Sequence, residues 1–312
     1  MKALLTGASS FTGLWFARAL AERGVEVIAP LRKSRDAYFG VRAARVAALH
    51  KVADVVPLIE FGGPEFFAFF DRTGCDVVCH HAARVENYRS VDFDINAALL
   101  ENTRGLKALS ERLATRALAA VVLTGSAFEE NEGTGSEPLR AFSPYAVSKG
   151  LTASVFRYWC EIFGLPLGKF VIANPFGPFE EPRFCAYLIK TWAAGGIGEV
   201  RTPLYIRDNI HVSLLAKAYA AFVLEIATSR RSAHFAPTFY AESQGDFANR
   251  FAREIGQRIK VPCQINLREQ TDFAEPMIRI NTDPVDAGAL KWNESSAWDE
   301  IADYYAGELH LR

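Results

Sequence analysis

The stretch Thr6-Gly7-Ala8-Ser9-Ser10-Phe11-Thr12-Gly13 decides the fold of this 312-residue chain. It follows a short apolar run, Ala3–Leu5, and leads into Thr12–Arg23, where apolar residues recur at intervals of three and four. A strand that passes through a glycine-rich turn into a helix is the local structure that binds dinucleotide phosphates. The stretch therefore predicts a β-α-β fold with a dinucleotide site at the turn. The alternative is a purely structural turn between strand and helix.

The residues of this turn have separate expected roles. Gly7 allows the tight turn, and Gly13 lets the helix pack against the strand. Ser10 stands at the middle position of the usual three-glycine spacing, where the backbone closely approaches the pyrophosphate. We expect contacts with the cofactor from Gly7, Ser9, Ser10, Phe11, Thr12 and Gly13.

Short apolar runs alternate with longer segments of helical period along the first 173 residues. This alternation is typical of a doubly wound parallel sheet of the Rossmann type, covered by helices on both faces. The predicted strands are Ala3–Leu5, Glu26–Ala29, Val55–Ile59, Asp76–His80, Ala120–Leu123 and Gly168–Ile172. The predicted helices are Thr12–Arg23, Pro64–Asp71, Val91–Thr115 and Tyr145–Phe163.

After about residue 174 the rhythm breaks into pieces separated by proline and glycine, with helices predicted over Phe184–Ala194 and His211–Ala227. Irregular segments of this kind usually build a substrate-binding region. We therefore expect a dinucleotide-binding domain and a smaller C-terminal α/β substrate-binding region. The first comprises residues 1–173 with 208–238 returning to it, and the second comprises 174–207 and 239–312.

Composition excludes several classes of protein. The chain has 35 Lys+Arg against 36 Asp+Glu, and half of its residues are apolar, so it lacks the charge excess that nucleic acid or an anionic membrane surface attracts. No stretch approaches the length of apolar sequence that spans a membrane, and the first residues lack the apolar core of a signal peptide. We expect a small-molecule partner, no nucleic acid, no membrane and a cytoplasmic location.

The five cysteines are odd in number and scattered, which favours a reducing compartment over a disulfide framework. Cys75 and Cys79, followed by two histidines, resemble a zinc spacing, but alternate side chains of a strand face opposite ways. No metal site is expected. The acidic loop 129–137 is expected to be solvated surface, or a lid, rather than a metal site.

Two cationic residues follow the second predicted strand, at a place where a carboxylate often accepts hydrogen bonds from the hydroxyl groups of an adenosine ribose. They are Arg32 and Lys33. Because a guanidinium pairs bidentately with a 2′-phosphate, these residues favour NADP(H), with NAD(H) as the alternative. The other interpretation is an exposed basic loop.

A third motif predicts chemistry. Ser143 and Pro144 open a helix on which Tyr145 and Lys149 lie one turn apart on the same face. A phenol has an ordinary pKa of about 10, which an ammonium and a cationic nicotinamide both lower, so Tyr145 could exchange a proton with an alcohol or carbonyl. Ser126 ends a strand and is placed to hydrogen-bond the same oxygen. A tyrosine and lysine at this spacing also arise by chance.

These motifs occur in the order seen in one family. The series is Gly7-x-x-Ser10-x-x-Gly13, Asp76-Val77-Val78-Cys79-His80-His81-Ala82-Ala83, Asn102-x-x-Gly105, Ser126, Tyr145-x-x-x-Lys149, Asn174-Pro175-Phe176-Gly177-Pro178, Arg207-Asp208-Asn209-Ile210-His211 and Leu290-Lys291-Trp292. Over essentially its whole length the chain resembles the extended short-chain dehydrogenase/reductases, in particular the NAD-dependent epimerase/dehydratase group that acts mainly on nucleotide sugars.

The resemblance implies a catalytic triad of Ser126, Tyr145 and Lys149. Tyr145 would be the acid/base, Lys149 would also hold the nicotinamide ribose, and Ser126 would orient the substrate oxygen. The resemblance further implies a homodimer formed through the predicted helices Val91–Thr115 and Tyr145–Phe163.

Other positions match binding residues of the family. The run His81-Ala82-Ala83 would pass beside the cofactor, and Asn102 would support the active-site helix there. Asn174 and Arg207 match positions that hold the phosphates of the nucleotide sugar. His211 is expected to be a hydrogen-bonded core residue.

Positions at which this chain departs from the family pattern reduce the number of reactions that the resemblance allows. Where this chain has Ser126-Ala127-Phe128, the dehydratases that it resembles carry a Thr-Asp-Glu or Thr-Ser-Glu motif. The acid that elimination of water needs is therefore absent, which disfavours dehydration. The family's reductases that also invert C3 and C5 carry a Ser-Ser-Cys motif whose catalytic cysteine falls at the position of Phe128. The resemblance therefore disfavours double epimerisation. The second phosphate-binding arginine has no match at the family spacing, since only Arg268 and Arg279 lie nearby.

The resulting hypothesis is NADP(H)-dependent reduction of a keto group on a nucleotide-activated sugar, with a 4-keto-6-deoxyhexose as the expected substrate. The first alternative is a nucleotide-sugar 4-epimerase that retains NAD. The second is a family member that binds a dinucleotide without turnover.

Overall fold

The computed structural model describes residues 1–309 of the chain. The helices are α1 (Phe11–Glu22), α2 (Gly40–Leu49), α3 (Pro64–Thr73), α4 (Ile95–Thr103), α5 (Leu106–Leu113), α6 (Pro144–Ile162), α7 (Phe184–Ala193), α8 (Val212–Ser229), α9 (Gln244–Gly256) and α10 (Glu294–Glu308). The strands are β1 (Lys2–Thr6), β2 (Glu26–Leu31), β3 (Asp54–Pro57), β4 (Val77–His80), β5 (Ala120–Ser126), β6 (Thr134–Gly135), β7 (Leu167–Ile172), β8 (Asn174–Phe176), β9 (Gly198–Val200), β10 (Ile206–His211), β11 (Ala233–Phe235), β12 (Pro237–Thr238), β13 (Tyr240–Ser243), β14 (Ile265–Leu267), β15 (Ile278–Ile280) and β16 (Asp283–Pro284).

The main sheet is parallel and has the strand order β3-β2-β1-β4-β5-β7-β11. The order reverses between β1 and β4, because the chain builds outward from β1 to β3 and then returns to the other side of β1. Such a reversal leaves a crevice at the carboxyl ends of the two central strands. The predicted Rossmann-type fold is confirmed, and each predicted strand is present.

The chain divides into two compact units. Unit 1 comprises residues 1–132, 139–172 and 216–236, and it contains the parallel sheet. Unit 2 comprises 133–138, 173–215 and the residues from 237 onward, and it contains the sheet β13-β10-β15-β6, with β8 paired to β10. The sequence-based division assigned 208–215 to the first domain. The structure places them in unit 2, where β10 pairs with three strands.

Each unit has its own apolar core. In unit 1, β4 and β5 are buried along almost their whole length because helices cover both faces of the sheet. The core of unit 2 combines aliphatic residues with a group of large aromatic side chains, which include Phe176, Trp192, Phe247, Phe251 and Trp298.

Helix α8 corrects one expectation. It is long and apolar enough to span a membrane by length and composition alone, and 61% of that segment is buried inside the structure. From residue 216 onward the helix belongs to unit 1, where Tyr219 stacks on Phe16 at a ring distance of 3.9 Å. A Cβ atom at Gly168 of β7 would lie only 2.7 Å from Ile226 and 2.8 Å from Phe222. Burial in the core therefore accounts for the apolar character of α8.

The prediction of one helix over Val91–Thr115 is wrong. The chain forms α4 and α5, separated at Gly105, which has a φ of +63°. A Cβ atom at Gly105 would lie 2.6 Å from Cζ of Phe67, and one at Gly62 would lie 1.9 Å from the carbonyl oxygen of Arg104. The close approach of the segment before α3 breaks the helix, a tertiary effect that helical periodicity does not contain.

Gly105→Ala should therefore destabilise the protein by about 2 kcal/mol, because the substitution adds backbone strain and a steric clash. Gly150→Ala is the matched control. Gly150 lies inside α6 with open space around its missing Cβ, so alanine there should stabilise by about 0.5–1 kcal/mol. Urea unfolding measures both, and equal effects of the two substitutions would contradict the tertiary explanation.

Candidate active site

The turn between β1 and α1 lies at the reversal of strand order. Gly7 has a φ of +71°, and a Cβ atom there would lie 2.7 Å from the backbone nitrogen of Ala82. A Cβ atom at Gly13 would lie 2.3 Å from the carbonyl oxygen of Gly7. The Thr6 hydroxyl accepts the backbone N–H groups of His81 and Ala82 at 3.1 and 3.0 Å. The turn is thus held directly against the segment that follows β4.

Ser10 is accommodated in this turn without the freedom of a glycine. Its φ of −76° is available to any residue, and it caps α1 by accepting the N–H of Gly13 at 3.1 Å. The hydroxyl also lies 3.0 Å from Nε2 of His81. Its side chain is therefore bonded within the protein.

His81 connects the turn to β5. Its Nε2 lies 2.9 Å from the hydroxyl of Thr12 as well as beside Ser10, and its Nδ1 lies 2.9 Å from the hydroxyl of Thr124. Burial, reinforced by the charge of Lys149, lowers the pKa of His81 to about 3. The imidazole is therefore neutral at pH 7 and joins three hydroxyl groups.

The basic residues around the turn differ from those that the sequence singled out. Arg32 and Lys33 follow β2 and are exposed. Arg42, on α2, donates to the hydroxyl of Ser9 at 3.2 Å and lies 5.6 Å from the ring of Tyr38. Arg42 is therefore a cation that contacts the turn itself.

A second arginine of α2 was also missed. Arg45 is buried, with its guanidinium 6.0 Å from the ring of Phe11 at the start of α1. One signal could have found both residues, because a right-handed connection between β2 and β3 requires a helix in this segment. Arg42 and Arg45, three residues apart, then fall on one face of that helix.

Ser126 ends β5. Its hydroxyl oxygen accepts the N–H of Phe128 at 3.2 Å, and its own N–H donates to Oε1 of Glu129 at 2.7 Å. Because a backbone donor occupies one lone pair of the hydroxyl, the hydroxyl hydrogen can be donated to another acceptor.

Tyr145 lies in the first turn of α6. Ser143 caps this helix by accepting the N–H of Ala146, as the sequence predicts. The ring of Tyr145 makes edge contacts with Tyr88 and Phe93, at centroid distances of 5.6 and 5.9 Å. The loop after β4 thus supplies aromatic neighbours for the phenol.

Lys149 is buried one turn further along α6. Its ammonium donates to the carbonyl oxygen of Thr124 at 2.6 Å, and only 5% of the residue is exposed. Burial lowers its pKa to about 8, the negative charge of Glu129 opposes that shift, and Lys169 adds to it. Lys149 is therefore a cation at pH 7, and it loses its proton within the pH range in which enzymes are assayed.

Asn102 joins three elements of unit 1. Its Oδ1 accepts the N–H of Arg84 at 3.0 Å, and its Nδ2 donates to the hydroxyl of Thr152 at 3.3 Å. These bonds tie α4 to α6 and to the segment after β4.

The expectation of solvated surface is wrong for two residues of the acidic loop. The side chains of Glu129 and Glu132 are 1% and 9% exposed, and both bind the ammonium of Lys169 in β7. Glu132 also contacts His234 at 2.8 Å. A lysine inside an apolar strand was the missed signal, because a buried cation requires a partner of opposite charge.

In unit 2, the two predicted phosphate-binding residues lie on paired strands. Asn174 of β8 is in register with Asn209 of β10, two residues beyond Arg207. The guanidinium of Arg207 binds Glu275 at 2.9 Å and also donates to two backbone carbonyls. An anion that binds Arg207 must therefore compete with a carboxylate.

His211 lies in the core of unit 2. Its Nδ1 is 2.7 Å from the hydroxyl of Ser213, which also accepts the indole N–H of Trp292. Its ring contacts Phe176, and burial lowers its pKa to about 3.

In the part of the chain that the structure describes, no group of three or more His, Cys, Asp or Glu side chains is placed to hold a metal ion. The five cysteines are free thiols. Cys79 is buried in β4, and burial raises its pKa to about 12.

Comparisons with known proteins agree with the fold. The sequence profile of the NAD dependent epimerase/dehydratase family matches residues 3–236. No curated protein matches in sequence. Among solved structures, UDP-glucuronic acid 4-epimerase from Bacillus cereus, in complex with UDP-glucuronic acid and NAD, has a TM-score of 0.73 at 17% identity, covering 99% of this chain and 100% of that one.

Two further structures are similar over both chains. UDP-glucose 4-epimerase from Thermus thermophilus, in complex with NAD, has a TM-score of 0.72 at 16% identity and covers 98% of this chain and 99% of that one. The dTDP-glucose 4,6-dehydratase from Bacillus anthracis, also in complex with NAD, has a TM-score of 0.71 at 16% identity, covering 100% and 98%. The chain belongs to the NAD-dependent epimerase/dehydratase family of enzymes.

The lowered pKa of Lys149 predicts a pH-dependent stability. Below about pH 8 folding buries a charged amine at full cost, and this cost disappears as the pH rises toward the pKa of an unfolded lysine, 10.5. From about pH 7 to about pH 10, the wild type should gain about 2 kcal/mol of unfolding free energy relative to Lys149→Met. Urea unfolding at a series of pH values measures this difference.

The exposed Lys51 supplies the control for this measurement. Lys51→Met should show a constant difference from wild type over the same pH range. A constant difference for Lys149→Met would contradict the assignment of its titration.

Proposed function

We propose that the protein reduces a keto group on a nucleotide-activated sugar, a 4-keto-6-deoxyhexose, with NADPH as the reductant. The observation that carries this proposal is the buried, cationic Lys149 on the same helix as Tyr145, bonded to the strand that ends in Ser126. This set of groups suits proton transfer to an oxygen atom.

The turn after β1 fits the diphosphate of a dinucleotide. Gly7 and Gly13 leave no room for side chains, so the backbone can approach a ligand closely. The first N–H groups of α1 lack partners within the helix and lie at its positive end, which favours an anion. Arg42 beside Ser9 adds a positive charge.

Phosphorylated cofactor is favoured by the residues after β2. Arg32 and Lys33 supply exposed cations there. A carboxylate, which would repel a 2′-phosphate, does not occur among residues 31–35.

When bound, the reduced nicotinamide supplies a hydride for the carbonyl carbon. Tyr145 donates a proton to the carbonyl oxygen, and the hydroxyl of Ser126 donates a hydrogen bond to the same oxygen. The ammonium of Lys149 stabilises the phenolate that Tyr145 becomes and binds the nicotinamide ribose. His81, Ala82 and Ala83 line the cofactor side of the turn, and Asn102 holds α6 in place.

Asn174 and Arg207 are proposed to bind the diphosphate of the sugar nucleotide. The forked donors of Arg207 suit a phosphate, and the diphosphate would displace Glu275, which is half exposed. The exchange replaces one anionic partner by another, so the guanidinium stays neutralised.

The first alternative is a nucleotide-sugar 4-epimerase that retains NAD. It uses the same catalytic residues, and two of the similar structures named above are 4-epimerases in complex with NAD. Mass spectrometry of nucleotides released from the denatured protein separates the two functions. Tightly held NAD favours the epimerase, and an empty site favours the reductase.

The second alternative is a family member that binds a dinucleotide without turnover. Its main support was Ser10 at a glycine position, and the cap that Ser10 forms weakens that support.

A homodimer through α4 and α6 is part of the proposal. These helices expose the apolar side chains of Leu100, Leu151 and Ile162. Burying such surface against a second copy is favourable.

A cytoplasmic location is also part of the proposal, because the free thiols of the chain fit a reducing compartment.

Arg32→Ala should weaken NADPH binding by about 10- to 100-fold and leave NADH binding nearly unchanged, because one charge-assisted contact with the 2′-phosphate is lost. Arg42→Ala should weaken both cofactors, since Arg42 contacts the turn. Calorimetric titration measures the affinities, with the exposed Arg231→Ala as the control. Equal affinity of the wild type for both cofactors, unchanged in Arg32→Ala, would contradict the assignment.

Tyr145→Phe should lower turnover of 4-keto nucleotide sugars by about 100- to 10,000-fold with nearly intact cofactor binding, because the phenol donates the proton. Ser126→Ala should be less damaging, and Lys149→Met should also weaken cofactor binding. The control is Tyr158→Phe, an exposed tyrosine of the same helix. Wild-type turnover in Tyr145→Phe would rule out both the reductase and the epimerase, since both use this proton donor.

A further inference from the structure

A cluster of buried charges lies on the carboxyl-terminal side of β5. The ammonium of Lys169 binds Oε2 of Glu129 at 2.6 Å and Oε1 of Glu132 at 2.5 Å, and Glu132 also contacts His234. The two carboxylates and the lysine are nearly inaccessible to water, whereas the side chain of His234 is 47% exposed. We call these four residues the charge cluster.

Glu129 connects the charge cluster to Ser126 by two reciprocal bonds. Oε1 of Glu129 accepts the N–H of Ser126 at 2.7 Å, and the N–H of Glu129 donates to the carbonyl oxygen of Ser126 at 3.0 Å. A Cβ atom at Gly125 would lie 2.8 Å from Cε of Lys169 and 3.1 Å from Oε1 of Glu129. The glycine therefore lets the cluster pack directly against the end of β5.

Glu129 and Lys149 are held by the same strand end, because Glu129 binds the N–H of Ser126 and Lys149 binds the carbonyl oxygen of Thr124. The ionisable groups around Lys149 are His80 at the end of β4, His81 directly after it, Glu129, Lys169 and, on its own helix, Tyr145. Both histidines are neutral at pH 7, because burial lowers the pKa of each to about 3. Glu129 is the acidic member of this set, and Lys169 is the opposing cation.

Two carboxylates share the one ammonium of Lys169. Burial alone would lower the pKa of Lys169, but Glu129 and Glu132 raise it. Of the two carboxylates, Glu129 is the one that bonds to Ser126, two residues beyond Thr124, whose carbonyl oxygen holds Lys149.

We infer that Glu129 is a positioning residue that holds Ser126 at the end of β5 and supplies a negative charge to the surroundings of Lys149. The inference rests on the proposed function for the roles of Ser126 and Lys149. Glu129 itself bonds to Ser126 and Lys169 and acts on the substrate only through Ser126 and Lys149.

The titration of Lys149 tests this inference without substrate or cofactor. In protein labelled with ¹³C-lysine, the Cε signal of Lys149 is the one that Lys149→Met removes, and its midpoint is followed by NMR over pH. Glu129→Gln keeps an oxygen acceptor for the N–H of Ser126 and removes the negative charge, so the midpoint should fall below that of the wild type.

Two variants of the same cluster complete this experiment. Glu132→Gln, the matched control, removes a carboxylate that does not bond to Ser126, so its midpoint should stay near that of the wild type. Lys169→Met removes the cation that opposes Glu129, so its midpoint should rise. This opposite shift keeps the inference testable if Glu129→Gln fails to fold. A midpoint at or above the wild-type value in Glu129→Gln, or an unchanged midpoint in Lys169→Met, overturns the inference.

Turnover supplies a second measurement. Between neutral and alkaline pH, kcat of Glu129→Gln should fall about 3- to 10-fold more than kcat of the wild type, with an unchanged KM for the sugar nucleotide, because Glu129 does not touch the substrate. A rise in KM with an unchanged pH profile contradicts the inference. If the wild type reduces no 4-keto nucleotide sugar, the proposed function fails, whereas the NMR midpoints decide the positioning role of Glu129 separately.

Discussion

An ammonium group buried at the carboxyl edge of a parallel sheet is the constraint on which unit 1 depends. Lys149 has almost no contact with water, and its charge is held by one backbone carbonyl, that of Thr124. A buried cation with so little compensation is costly, and its pKa of about 8 reflects that cost. A fold retains such a group where function requires a charge that is poised to act, since stability alone would favour an apolar side chain.

The surroundings of Lys149 limit this cost in two ways. His80, at the end of β4, and His81, directly after it, are both neutral, so they add hydrogen bonds without adding repulsion. His81 uses its two ring nitrogens to join hydroxyls from α1 and β5, which links the glycine-rich turn to the strand that carries Ser126. In addition, the negative charge of Glu129, which bonds to Ser126 at the end of β5, partly offsets the cost of burying the ammonium. The glycine-rich turn, Thr124 of β5 and Lys149 are therefore joined by one series of hydrogen bonds.

The sequence predicted the parallel sheet and its strands because burial on both faces produces continuous apolar runs, such as that of β5. Periodicity could not predict the break at Gly105, which depends on Phe67 and Arg104 packing against it. The prediction that the acidic loop 129–137 is solvated was wrong for a related reason. Composition alone assigns glutamates to solvent, and only the pairing of β7 with β5 brings Lys169 to Glu129. Contacts between distant segments thus set the limit of the prediction, while motifs within one turn were predictable.

The position of Glu129 also bears on the choice of reaction. Three residues after Ser126, it is the acidic residue that could replace the missing acid of a dehydratase at Ala127 and Phe128. One of its oxygens accepts the N–H of Ser126, the other binds Lys169, and its side chain is 1% exposed. A carboxylate held in this way cannot approach a sugar carbon or exchange protons with it, because proton transfer requires direct contact or a single water. The carboxylate is therefore engaged by the strand end and by the lysine, which is consistent with the proposed transfer of a hydride and one proton at a single oxygen.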